Sequence, residues 1–124
     1  ATVDGGPGLD TYILKTGASI DFNLITASKS TNMEIFDLRV NGDHAIDNLH
    51  INDVLAMTDA NHELIIRGDA GDAINLKNDA GHGGDWVHTG TTVDGGVTYN
   101  VYDLATDSNA LTLKVESTIT SHIL

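Results

Sequence analysis

Gly5-Gly6-Pro7-Gly8-Leu9-Asp10-Thr11-Tyr12-Ile13 spells G-G-x-G-x-D-x-U-x, a run of glycines closed by an aspartate and leading straight into strand-like alternation. Adjacent glycines reach backbone angles closed to other residues, so the chain turns tightly with its carbonyl oxygens aimed inward. Asp10 adds a carboxylate. Calcium is a hard cation that takes about six to eight oxygens, and carbonyls plus a carboxylate in a tight turn are the set it selects. The candidate ligands of this turn are Asp4, Gly6, Gly8 and Asp10. After it, Tyr12 and Leu14 are expected to share one face of a strand. In a repeating roll each ion lies between two successive turns, so one copy supplies half a site and needs a partner from elsewhere.

Composition limits what is built on that turn. The 124 residues suit one domain of about ten short strands, not a multi-domain enzyme. Eighteen acidic residues stand against six basic ones for a formal net charge of -12, and only Glu34, Glu63 and Glu116 are not aspartate. Aspartate enrichment beside 13 glycines fits cation-bearing turns better than a generic acidic surface. Such a surface repels phosphate backbones and anionic lipid, which argues against nucleic acid and against the membrane as partners. Without cysteine there is no disulfide scaffold, thiol nucleophile or cysteine-ligated metal. No apolar run approaches the roughly 20 residues of a membrane-spanning helix. Ala1 and Thr2 lead directly into Val3-Asp4-Gly5-Gly6, so the chain is expected to be a fragment of a longer protein, cut inside a repeat.

Short strands are predicted at 11–14, 19–23, 34–38, 48–51, 63–68, 73–77, 97–104 and 110–116, each alternating apolar and polar residues. The fold class is therefore all-β: a single domain, β-roll or β-solenoid-like or else β-sandwich-like. One short helix is expected over 52–58, where Asn52 and Asp53 precede Val54-Leu55-Ala56-Met57, and it would cover an open end of the strand stack. Two echoes of the opening motif follow. Thr2-Val3-Asp4-Gly5-Gly6 recurs as Thr92-Val93-Asp94-Gly95-Gly96, but without the trailing aspartate, and reads as a hairpin turn. Gly68-Asp69-Ala70-Gly71-Asp72-Ala73-Ile74 is a nonapeptide one residue short, with Asp72 two before Ile74 as Asp10 is two before Tyr12. It is the second calcium turn expected here, with Asp69 and Asp72 as its ligands.

The order of these blocks, Glu34 to Leu38, Asp53 to Met57, Leu64 to Leu76, then Trp86, Tyr99, Tyr102 and Leu111 to Val115, resembles the C-terminal region of large bacterial RTX adhesins. The resemblance covers residues 2 to 116. It implies an all-β fold stabilised by calcium, export by the type I secretion machinery, a secreted or cell-surface location, and neighbouring repeats of the parent protein as partners. It also implies an uncleaved secretion signal close by. Residues 117–124 read equally as the end of that signal or as a last strand.

Other constellations admit blander readings. His82, Asp85 and His88 in one loop could hold zinc, but their spacing matches no metal motif and a solvated loop is preferred. Trp86, Tyr99 and Tyr102 could form a platform for a sugar ring, which would make the chain a carbohydrate-binding adhesion module with a glycan as partner. That alternative requires the three rings to be exposed. Asp10 and Asp72 both lie in glycine turns and not across a cleft, so no enzymatic activity is expected.

Overall fold

The structure is a computed structural model that describes residues 3–4, 11–13, 20–21, 30–31, 35–39, 42–58, 62–107 and 110–124. Its building unit is clearest in the middle of the chain. Strand Glu63–Arg67 buries Leu64 and Ile66, and strand Ala73–Leu76 buries Ile74 and Leu76, because alternate side chains of a strand point to one face. The tight turn 68–72 carries the chain from one strand to the other, so the two apolar faces look at each other and form one coil.

Parallel strands stack on this coil in both sheets. In chain order the strands are β1 (Val3–Asp4), β2 (Thr11–Ile13), β3 (Ile20–Asp21), β4 (Ser30–Thr31), β5 (Ile35–Asp37), β6 (Ala45–Leu49), β7 (Glu63–Arg67), β8 (Ala73–Leu76), β9 (Trp86–Asp94), β10 (Val97–Leu104), β11 (Thr112–Glu116) and β12 (Thr120–Ile123). One sheet runs β2-β5-β7-β11-β10-β9 and its first four strands are parallel; the other, β3-β6-β8-β12, is parallel throughout. β1 and β4 make a separate parallel pair. Register places Phe36, Ile66 and Val115 in one inward row, Leu64 beside Leu113, and Ile46 beside Ile74. These rows form the core between the sheets. Of the two all-β arrangements the sequence left open, the parallel pairing is the solenoid kind.

β6 needs a correction to fit. Ile46 and Leu49 are three residues apart yet both fully buried, which simple alternation forbids. The strand takes one extra residue between the Ile46–Ile74 and Leu49–Leu76 pairs, and Asn48 absorbs it at φ 55°. Asparagine tolerates that left-handed geometry better than most residues. The predicted strand 48–51 is thus displaced to 45–49, and Ile51 opens a helix instead.

That helix, α1 (Ile51–Met57), starts one residue before the expected span. Its cap is His50, whose backbone N–H donates to Asp53 Oδ2 at 2.9 Å while the Asp53 amide donates to the His50 carbonyl at 3.1 Å, which fixes the first turn. α1 joins β6 to β7 and sends Ile51 and Val54 into the core, so it closes a side of the stack and not an end. The end of the larger sheet is covered by the β9–β10 hairpin, which pairs antiparallel with β11. Gly95 and Gly96, at φ 60° and 82°, make the two-residue turn expected there. Two polar contacts fasten the hairpin across to the second sheet: Trp86 Nε1 donates to the Leu49 carbonyl at 3.0 Å, and Tyr102 Oη lies 2.6 Å from Ser121 Oγ. Residues 120–123 form the last strand, parallel to β8. Among the described residues no helix is long and apolar enough to cross a membrane.

Ile66, fully buried between Phe36 and Val115, is the test of this core. Ile66→Ala is expected to cost about 2–5 kcal/mol in urea denaturation. A loss under about 0.5 kcal/mol would place the core elsewhere.

Candidate functional site

Strands β5, β7 and β11 run parallel and end on one side of the stack, and the turn 68–72 that follows β7 is built around Asp72. The Asp72 side chain is buried, with Oδ1 accepting from the His44 amide at 2.8 Å and Oδ2 from the Asp69 amide at 2.7 Å. Gly71, at φ 105°, is needed twice over: L side chains avoid that angle, and an added Cβ would fall 2.8 Å from Asp43 Cγ. From the next coil Glu116 Oε1 accepts from the Gly68 amide at 3.1 Å, and Thr118 Oγ1 donates to the Gly68 carbonyl at 2.7 Å. Carboxylates of three coils, Asp43, Asp72 and Glu116, thus converge on the backbone of residues 68–71.

The expected ligands divide as follows. Asp69 is exposed and Asp72 is buried in the turn just described. Asp4 lies in β1, opposite Thr31. Gly6, Gly8 and Asp10 lie outside the described residues. Asp10 immediately precedes β2 whereas Asp72 follows β7, and β2 and β7 run parallel in one sheet.

Just after β5, Arg39 clamps Asp37 with its Nε donating to Oδ1 at 3.0 Å and Nη2 to Oδ2 at 2.8 Å. The Arg39 backbone N–H adds a third bond at 3.0 Å. The guanidinium hydrogen bonds hold the Asp37 carboxyl below its ordinary value, outweighing the burial that would raise it.

A second polar cluster joins α1 to the 3-10 turn Ala80–His82. His50 is buried, and its Nδ1–H donates to Asp53 Oδ2 at 2.9 Å. Asp79 Oδ1 accepts from the Gly81 amide and Oδ2 from His82 Nδ1, both at 2.8 Å, and these two contacts in that order hold its carboxyl below the usual range. The imidazoles of His50 and His82 lie with centroids 4.6 Å apart. One ligand atom from each of His50, Asp79 and His82 falls within 4.8 Å of the other two, the one such group among the described residues. The grouping weighed and set aside from sequence, His82 with Asp85 and His88, does not form: His88 sits in β9 with its ring 5.0 Å from that of Tyr102. His50, distant in sequence, takes its place, and no local spacing could have shown that.

Trp86, Tyr99 and Tyr102 are 4%, 2% and 6% exposed, so they offer no platform to a sugar. Compared with protein-family models, curated protein sequences and solved structures, the chain gives no significant match.

Two outcomes follow from these contacts. Asp72→Ala orphans the His44 and Asp69 amides and is expected to lower stability by about 2 kcal/mol or more in calcium-free urea denaturation; an unchanged midpoint would mean that the turn does not depend on the carboxylate. For Asp37 the depressed folded value means that its stabilising contribution is whole above the ordinary 3.8 and fades as the pH falls from there through the folded value. Thermal melts of the parent and Asp37→Asn should accordingly converge at low pH and separate above about pH 5. Melts separated by the same interval throughout would contradict this assignment.

Proposed function

We propose that the chain is a non-enzymatic, calcium-binding structural module of a type I secreted RTX adhesin, next to the C-terminal secretion signal and acting outside the bacterial cell. The observation that carries this reading is the stack of parallel coils, whose strand β2 is entered directly from the glycine-aspartate motif of residues 5–10. Acidic, glycine-bearing turns between parallel coils are the setting in which a cation between turns stabilises an array. The burial of the three aromatic rings gives the glycan-binding alternative no support.

The mechanism is electrostatic. With calcium scarce in the cytosol, a chain of net charge -12 repels itself and its turns do not close, which keeps it extended for the export machinery. Outside the cell calcium binds the folded form and shifts the equilibrium by mass action, by about 2.7 kcal/mol when the free ion is a hundredfold above its dissociation constant. Neighbouring repeats of the parent protein then supply the turn that faces the first motif.

Circular dichroism and thermal melts with calcium and with chelator test the reading, and equal folding and equal heat stability in both would sink it. Calorimetric titration locates the sites. Asp10→Ala should weaken calcium binding by more than about tenfold. Asp94→Ala, in the exposed hairpin, should leave it unchanged. Asp69→Ala decides the second motif, since that exposed carboxylate can be removed without disturbing the amide contacts of Asp72.

A further inference from the structure

We propose that His50, Asp79 and His82 form a binding site for a divalent transition metal of the zinc class, clamping helix α1 to the 80–82 turn. The site is separate from any calcium turn and does not depend on the proposed function. Two imidazole nitrogens and one carboxylate oxygen are a borderline-soft donor set; calcium takes oxygen alone, whereas zinc accepts this mixture with water completing four-coordination.

The surroundings are arranged as metal-bound histidines require. Asp53 Oδ2 accepts from His50 Nδ1–H at 2.9 Å, which fixes the ring and its tautomer and leaves the Nε2 lone pair free. A carboxylate behind a ligating histidine is the usual outer partner of zinc. Asp53 is itself held by the His50 backbone N–H, so the orienting group belongs to the helix cap and does not wander. His50 is buried with a side chain 6% exposed, while His82 and Asp79 are 59% and 39% exposed, so the ion would enter from solvent onto a preset buried ligand.

Gly83 provides an independent sign that the loop is built to press against the helix. Its φ is 108°, and a Cβ there would lie 2.8 Å from Ile51 Cβ and 2.9 Å from the Asn52 amide. Any side chain at 83 would lift His82 away from His50. Between His82 Nδ1 and Asp79 Oδ2, now 2.8 Å apart, the ion takes the place of the Nδ1 proton, and the solvent-exposed ring takes up its N–H on Nε2 instead. Two tetrahedral ligands on zinc sit roughly 3.3 Å apart, so the carboxylate and the ring need separate by only a few tenths of an ångström.

The test is calorimetric titration of zinc chloride into the full chain, without a polyhistidine tag and with calcium in excess, followed by the visible spectrum of the cobalt-substituted protein. One equivalent should bind, with the absorption of a four-coordinate nitrogen and oxygen site. Asp53→Asn, which acts only through His50, should weaken binding by about tenfold. His82→Ala and Asp79→Asn, at exposed positions, should weaken it further with an unchanged circular dichroism spectrum, so that His50→Ala is not needed to decide the matter. His122→Ala, in exposed β12, should bind zinc like the parent. Parent-like binding by His82→Ala, loss of binding in His122→Ala, or no heat above the buffer control would each overturn the proposal.

Discussion

Parallel coils cannot be joined by a hairpin, so each strand's height along the stack is set by the turn that delivers it. The Asp72 carboxylate meets this constraint by binding the amide of His44 in the preceding coil and that of Asp69 in its own. Because it fixes where β8 begins relative to β6, the rows of Ile46 with Ile74 and Leu49 with Leu76 fall into line, and the core follows from the turn. Backbone bonds complete the hold, from the Ala73 amide to the His44 carbonyl at 3.0 Å and from Thr120 to Asp72 at 3.1 Å. A buried carboxylate that accepts two amides satisfies groups the coil geometry would otherwise leave without partners.

The outer faces of the coils repeat this use of polar groups. Asn75 Nδ2 donates to Asp47 Oδ1 at 2.7 Å, and Asn48 Nδ2 donates to Asp21 Oδ1 at 2.8 Å, so amides alternate with acids along the smaller sheet. Asp21 and Asp47 are register partners on adjacent strands, and each has a carboxylate oxygen occupied by an asparagine amide.

Much of this was legible in the letters. Alternation marked β7, β8 and β10, Asp94-Gly95-Gly96 marked the hairpin, and the residues from Gly68 to Asp72 marked a turn, because each signal is local and its physics is complete within a few residues. The misplaced strand at 48–51 has a local cause too, since the bulge at Asn48 breaks the period and passes Ile51 to the helix. What the letters could not hold is the meeting of distant segments. His50 reaches His82 only because α1 and the 80–82 turn pack together, and Trp86 lies in the core because its indole N–H finds the Leu49 carbonyl. Its burial separates a core aromatic from a sugar platform, and in sequence the two look alike.

The antiparallel hairpin also gives the stack a direction. Adding a coil requires two free strand edges at the same level, one in each sheet. At the β12 end the place beside β11 is already taken by β10, so the larger sheet ends two strands further out, at β9, than the smaller one, where β12 is short and carries Thr120 and His122 to solvent. At the opposite end β2 and β3 are the outermost strands of both sheets among the described residues. In the language of polymer growth the hairpin is a terminator: propagation by parallel coils stops where β10 occupies the edge of β11.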